Sequence, residues 1–126
     1  NAWVYGDAEV YGNAKVYGNA EVHGNAWVSG NARVYGNAKV YGNARVYGDA
    51  WGKSPLQIQG TRNFFNVCKK GVIKIGCFEL TFAEWKKKGK KIAQENGYSE
   101  AEIKEYKAYI DLAIKLYERE PEKELA

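Results

Sequence analysis

His23 is the only histidine of the chain, and its imidazole is a candidate general base near neutral pH. A catalytic histidine is normally oriented by a carboxylate, and no Asp or Glu stands at a motif spacing from His23. His23 also occupies, in Val22-His23-Gly24, a position where most neighbouring copies of a repeat carry Tyr. The sequence therefore favours His23 as one member of an exposed row of tyrosines, with catalysis as the weaker interpretation.

A second candidate is the lysine run Lys86-Lys87-Lys88-Gly89-Lys90-Lys91, which could contact phosphates or an acidic protein. The same lysines fill the non-core positions of a predicted helix, so a solvated face is the alternative. Residues 1–51 carry four basic and four acidic side chains, so the net charge of +4 comes entirely from residues 52–126. A nucleic-acid partner is weakly supported, because no aromatic interleaving or base-reading motif accompanies the run. The candidate contacts in this helix are Lys86, Lys87, Lys90 and Lys91.

The two cysteines, Cys68 and Cys77, flank a predicted turn at Lys70-Gly71. That turn would place Cys68 opposite Ile73 and Cys77 opposite Phe64, so the two thiols are not expected to pair. Reduced, buried cysteines in a cytoplasmic protein are the favoured state. One histidine and two separated cysteines make no metal site, and no phosphate-binding loop or nucleophile elbow is present. We therefore predict no cofactor and no metal, and no segment is apolar enough to span a membrane.

These residues must be positioned by a repeat, because the hexapeptide Val-Tyr-Gly-Asn-Ala-x recurs eight times between Val4 and Gly48. In an extended Ala-x-Val-Tyr segment, Ala and Val face one side while x and Tyr face the other. The following Gly-Asn or Gly-Asp pair is typical of a corner, because Gly accepts positive φ freely. A short strand and a corner repeated without helices predict a β-solenoid.

The repeat, as in Val10-Tyr11-Gly12-Asn13-Ala14-Lys15, resembles the hexapeptide repeat of left-handed parallel β-helices. The resemblance covers residues 1–63 and implies three hexads per coil, so that each residue stacks on the one 18 positions later. More closely, the Asn-Ala-x-Val-Tyr-Gly form resembles arrays of bacterial and phage or prophage proteins, some of them labelled acyltransferases. It implies either a phage-encoded protein that binds and blocks or sequesters a host component, or an acyltransferase-like trimer using acyl-coenzyme A with His23.

Stacking at 18 residues predicts columns of outward side chains. Glu21 should lie beside Lys39, and the tryptophans at the variable position should lie outward on three different faces. Tyr and Trp are enriched at interfaces, so we predict a non-enzymatic module that binds a protein partner or assembles as a homo-oligomer. The predicted columns are Tyr5, His23 and Tyr41; Tyr11, Ser29 and Tyr47; Tyr17, Tyr35 and Lys53; and Glu9, Trp27 and Arg45. The predicted contacts on the repeat are Tyr5, Tyr11, Tyr17, Trp27, Tyr35, Tyr41, Tyr47 and Trp51.

Residues 64–126 form a second, α+β unit predicted to cap the array. A hairpin is expected from Phe64–Cys68 and Val72–Phe78, preceded by a degenerate last coil over 52–63. Capping boxes at Thr81/Glu84 and Ser99/Glu102 predict two helices, one ending near Asn96-Gly97 and one ending before Pro121, followed by a frayed acidic tail. The chain opens in mid-hexad and contains no methionine, which indicates a fragment of a longer array.

Overall fold

The computed structural model describes residues 2–118, beginning with nine strands of two residues each. Each of the first eight ends in the Val of one hexad, and the branched side chain of Val suits a strand. In chain order they are β1 (Trp3–Val4), β2 (Glu9–Val10), β3 (Lys15–Val16), β4 (Glu21–Val22), β5 (Trp27–Val28), β6 (Arg33–Val34), β7 (Lys39–Val40), β8 (Arg45–Val46) and β9 (Ala50–Trp51).

These strands form three parallel three-stranded sheets, in which each of the first six strands pairs with the third strand after it. The sheets are β1-β4-β7, β2-β5-β8 and β3-β6-β9. Val4 pairs with Val22 and Val22 with Val40, so equivalent residues stack 18 positions apart. This parallel stacking confirms a β-solenoid and the predicted neighbours Glu21 and Lys39.

The interior of the solenoid is a column of small and branched side chains. From the second coil onward every inward Ala and Val is fully buried, because alternation along each strand turns both to the same side. Gly30 shows why the corners need glycine. Its φ is +64°, and an added Cβ would lie 2.3 Å from the carbonyl oxygen of Tyr47 in the next coil.

The register slips by one residue at β9, and this corrects the predicted position of Trp51. Val34 pairs with Trp51, 17 residues later, and Asp49 takes a φ of +67°, the one positive φ of a non-glycine residue within 2–118. A slip of one residue exchanges the faces of a strand, so Ala50 is exposed and Trp51 is only 4% exposed. The prediction of an outward Trp51 is therefore wrong.

The same slip ends the third tyrosine column before Lys53. Gly52 lies against the ring of Tyr35, since an added Cβ at Gly52 would be 2.9 Å from Cε2 of that ring. The hexad phase also predicted a degenerate solenoid rung around Ile58. Instead β10 (Gln57–Gln59) pairs antiparallel with the next strand and belongs to a different sheet.

That sheet contains four antiparallel strands in the order β10, β11 (Phe64–Lys69), β12 (Val72–Ile75) and β13 (Phe78–Thr81). The single strand predicted over Val72–Phe78 is interrupted, because Gly76 adopts a φ of +58° and turns the chain back. A bulge between Val67 and Lys69 gives Ile73 the partner Val67 instead of Cys68, while Phe64 has no pairing with Cys77.

Both cysteines are free, as expected, but they differ in burial. Cys68 is fully buried, and burial raises the pKa of its thiol to about 11. Cys77 lies exposed in the turn between β12 and β13, so the prediction that both are buried was wrong for Cys77.

Two helices follow, α1 (Phe82–Glu95) and α2 (Glu100–Glu118). Both predicted capping boxes are present: the backbone N–H of Glu84 donates to Thr81 Oγ1 and that of Glu102 donates to Ser99 Oγ, each at 3.1 Å. The end of α1 at Asn96 is confirmed. The predicted frayed tail with Pro121 lies outside the described residues.

Side chains that follow β9 in the sequence close part of the edge of the last coil. Ser54 Oγ accepts from the backbone N–H of Lys39 at 2.8 Å, and Gln57 bonds the backbone of both Lys39 and Tyr41 at 2.9 Å. Asn66, 1% exposed, accepts from the Arg45 N–H at 3.3 Å and donates to the Arg45 carbonyl at 2.7 Å. The edges of β7 and β8 therefore have partners other than a further rung.

Candidate interaction surfaces

The column of Tyr5, His23 and Tyr41 is the most regular feature of the solenoid surface. The His23 ring lies parallel to Tyr5, with centroids 4.9 Å apart, and nearly parallel to Tyr41 at 5.9 Å. In-register parallel pairing holds these rings one above another, because equivalent Cα atoms in adjacent strands are separated by about 4.8 Å. The stacking places His23 as a member of the predicted column, and no hydrogen bond to a carboxylate orients its imidazole among residues 2–118.

A second stack occupies the face formed by β3, β6 and β9. Tyr17 and Tyr35 lie parallel with centroids 5.2 Å apart. Lys15 is directly paired with Arg33 on the same face, which brings two like charges together at a cost to stability. The next residue in this register is Ala50, so no carboxylate from this sheet balances the two cations. This basic strip was not recognised from the sequence, although the 18-residue rule applied to the variable position would have found it.

The column of Tyr11, Ser29 and Tyr47 is less open than predicted. Tyr11 is 46% exposed, whereas Ser29 is buried at 7%. Tyr47 is half-buried, and its hydroxyl donates to Glu79 Oε1 of β13 at 2.5 Å. Burial, reinforced by that hydrogen bond to Glu79, raises the pKa of Tyr47 well above its ordinary value. The C-terminal sheet thus already occupies the hydroxyl end of Tyr47.

Trp27 and Arg45 form the predicted neighbours of the variable position. The Arg45 guanidinium lies 4.3 Å from the Trp27 ring centroid, a cation–π contact, and also donates to the Asn25 carbonyl at 2.8 Å. Trp27 remains 37% exposed and meets Tyr11 edge to face at 6.1 Å. These contacts fix the side chains of Trp27 and Arg45 in the free protein.

The five lysines of α1 are exposed and split into two groups. Lys86 and Lys90 line a groove of 330 Å³ between α1, α2 and the ends of β12 and β13, whereas Lys87, Lys88 and Lys91 do not. Ion pairs within residues 2–118 are limited to Arg62 with Glu102 and Lys107 with Asp111. The lysines of α1 therefore have no carboxylate in ion-pair contact.

The comparison with protein-family models agrees with the stacking of the strands. Residues 26–39 and 38–51 match the model described as YdcK Beta solenoid repeat. The chain is a β-solenoid repeat protein. No curated protein and no solved structure matches it.

Clusters of metal-ligating side chains and helices able to span a membrane are both absent from the described part of this β-solenoid. Between Ala2 and Glu118 there is no group of three or more His, Cys, Asp or Glu side chains arranged to hold a metal ion. Over the same range neither helix is long and apolar enough to cross a bilayer. The surfaces that remain are the aromatic columns, the basic strip and the groove.

Proposed function

We propose that this β-solenoid is a non-enzymatic interaction module, whose outward aromatic columns contact a protein partner or a second copy of the chain. The observation that carries the proposal is the stacking of the rings of Tyr5, His23 and Tyr41, and of Tyr17 and Tyr35, one coil apart. Tyr5, Tyr17 and Tyr41 are between 40% and 46% exposed, so half of each ring is already packed and half is free to make contact.

The physical advantage of such columns lies in conformational entropy. Immobilising a rotamer-rich side chain at an interface costs about 0.5–1.5 kcal/mol, and rings that already stack on a neighbour have lost part of that freedom. Tyrosine supplies large contact area with few rotatable bonds, which is why it is enriched in interfaces. The face of Tyr17 and Tyr35 adds Lys15 and Arg33 on adjacent strands. We expect this face to be the one that binds, and its partner surface to be acidic.

The experiment compares the double variant Tyr17→Ser/Tyr35→Ser with Tyr11→Ser, which alters a tyrosine on another face. Sedimentation equilibrium over a wide concentration range tests self-association, and we expect the double variant to weaken it by about tenfold or more while Tyr11→Ser changes it little. Equal weakening by both variants would count against the column. Circular dichroism of each variant checks that the fold is retained.

A chain that stays monomeric at every concentration removes the homo-oligomer form of the proposal. The proposal then requires an acidic protein partner. Association with a captured partner should weaken in Lys15→Gln/Arg33→Gln and as the salt concentration rises. Binding that is indifferent to both changes refutes the assignment to this face.

We extend the proposal to a left-handed coil of three hexads and to a cytoplasmic, phage- or prophage-encoded protein that blocks or sequesters a host component. Its support is the resemblance of the Asn-Ala-x-Val-Tyr-Gly repeat to such arrays. A crystal structure tests the hand, and a host protein captured by the chain but not by Tyr17→Ser/Tyr35→Ser tests the target. Saturable binding of acetyl-coenzyme A, with transfer activity that is lost in His23→Ala, would replace this proposal by the acyltransferase alternative.

A further inference from the structure

The groove between the two helices of the C-terminal unit has an apolar interior. Its volume of 330 Å³ lies at the lower end of the range for small-molecule sites. Phe78, Ile92 and Ile103 contribute apolar side chains to its walls, and Trp85 and Ile110 lie at its base. Phe78 is 37% exposed, so a large apolar ring of the wall still faces solvent.

The polar groups of the groove wall are already hydrogen-bonded inside the protein. Trp85 Nε1 donates to the Ile73 carbonyl at 2.9 Å, and the Tyr106 hydroxyl donates to the Asn63 carbonyl at 3.0 Å. Asn96 and Tyr98 also line the groove: Asn96 Nδ2 donates to the Ile92 carbonyl at 2.8 Å, and the Tyr98 hydroxyl accepts from Asn63 Nδ2 at 2.5 Å. These polar side chains are engaged within the protein, so the apolar side chains of the lining favour a hydrocarbon occupant.

The rim of the groove has the opposite character. Lys86 and Lys90 are four positions apart in α1, so they lie on one face of the helix with their Cβ atoms about 6 Å apart. Lys107 and Asp111 also line the groove, but they bond each other at 2.8 Å. The charge left over at the rim is thus positive and comes from Lys86 and Lys90.

Gly89 lines the groove beside Trp85 and Ile110. It lies inside α1, where Gly costs about 1 kcal/mol relative to Ala. Its φ is not in the left-handed region, so the backbone does not require it. An added Cβ would lie 3.3 Å from Trp85 Cε3 and 3.9 Å from Ile110 Cδ1, at the base of the groove. A larger side chain at position 89 would occupy the space that the glycine leaves.

We propose that this groove binds a free fatty acid, with its hydrocarbon chain between α1 and α2 and its carboxylate at Lys86 and Lys90. The largely apolar lining favours the hydrocarbon chain of the ligand, and the cationic rim favours its anionic head group. This site is separate from the aromatic columns of the solenoid. It gives the C-terminal unit a ligand as well as a capping role.

The test is isothermal titration calorimetry of the full chain with dodecanoate below its micelle concentration. We expect saturable binding of one molecule per chain, and affinity that rises from octanoate to dodecanoate by up to about fourfold for each buried methylene. Acetate, which has the head group alone, should not bind. Dodecanol, which has the same hydrocarbon chain but no carboxylate, should bind about tenfold more weakly than dodecanoate.

Matched variants assign the site. Lys86→Gln/Lys90→Gln should weaken dodecanoate binding by about tenfold, whereas Lys87→Gln/Lys91→Gln, with the same loss of charge on the same helix, should change it by less than about twofold. Gly89→Leu should abolish binding by filling the groove, and Ala93→Phe serves the same purpose if Gly89→Leu does not fold. Circular dichroism confirms the fold of each variant.

Three results would overturn the proposal. One is the absence of saturable dodecanoate binding to the full chain. Another is an equal loss in the two lysine pairs, which would show general attraction between an anion and a basic helix. The third is binding of an acidic amphipathic peptide, sensitive to Lys86→Gln/Lys90→Gln, by a chain that does not bind dodecanoate, because the groove would then belong to a protein partner.

Discussion

Trp27 and Trp51 occupy equivalent positions in the hexad, yet replacing each by Ala should have very different effects on stability. Trp51 is 4% exposed, and its ring meets Tyr117 of α2 edge to face at 6.2 Å. Its indole N–H donates to the Gly48 carbonyl at 2.7 Å. Truncating a buried aromatic side chain to Ala costs about 3–5 kcal/mol, and we expect Trp51→Ala to fall in that range.

Trp27→Ala is the matched control. Trp27 is 37% exposed, and the specific contacts that it loses are the cation–π pair with Arg45 and the edge-to-face contact with Tyr11. Each contact is worth about 0.5–1 kcal/mol at an exposed site, so Trp27→Ala should cost about 1–2 kcal/mol. Trp51→Phe keeps one aromatic ring but loses the N–H donor and part of the buried indole volume, so its cost should be smaller than that of Trp51→Ala, at about 1–3 kcal/mol.

Urea unfolding followed by circular dichroism and by fluorescence measures these differences. A repeat array can unfold separately from its cap, so the two probes must coincide before a single free energy of unfolding is assigned. The difference between Trp51→Ala and Trp27→Ala should be at least about 1 kcal/mol at an unchanged m-value. Equal midpoints for the two variants would refute the register slip and return Trp51 to the outward position that the hexad phase predicts.

Three further substitutions test the contacts between coils and the two groups with raised pKa values. Gly30→Ala should cost about 1–3 kcal/mol more than Gly71→Ala in urea unfolding, because both have positive φ but only the first would place a Cβ against a carbonyl of the next coil. An equal cost would mean that the coils are not closely stacked there. Burial raises the pKa of Cys68 from 9.0 to about 11, and the hydrogen bond to Glu105 raises that of Tyr109 from 10.0 to about 12. Their contribution to stability is complete below the unfolded-state pKa values and is lost as pH rises through about 9 to 12, so Cys68→Ala and Tyr109→Phe should each flatten the decline of urea midpoints over that window.

The stacking of the solenoid could be predicted from the sequence because the 18-residue spacing alone places each residue of the first eight strands. Once Tyr5 is assigned outward and the spacing of 18 is adopted, the neighbours His23 and Tyr41 follow without knowledge of any distant contact. Most folds lack this property, since their tertiary neighbours are set by packing between dissimilar elements. The basic pair of Lys15 and Arg33 follows from the same rule.

The position of Trp51 could not be read from its local pattern, because Gly48-Asp49-Ala50-Trp51 reproduces the earlier Gly24-Asn25-Ala26-Trp27. The difference lies one residue later, where Gly52 replaces the inward Val. Without a slip, an inward position beside a large aromatic ring would hold no side chain at all. Turning the indole inward fills that space and buries apolar surface, so the energetics of the end coil override the phase of the repeat.

The turn at Gly76 was missed for a different reason. The apolar residues from Val72 to Phe78 predict one strand, and Gly76 lies within that run. Gly inside a strand pattern often marks a break, and at φ +58° Gly76 starts the return into β13. The groove was also beyond sequence reasoning, since its walls come from β12, β13 and both helices, which meet only in three dimensions.

Closure of the last coil bears on which surfaces can serve in binding. A parallel strand at an open edge offers a row of N–H and C=O groups that pair readily with another chain. On β7 and β8 these groups are bonded by Ser54, Gln57 and Asn66, whose side chains cannot pass the ladder on to a further strand. Strand addition at β7 and β8 is thereby blocked. Along these two strands the surfaces left for contact are the faces of the solenoid, where the aromatic rings are stacked.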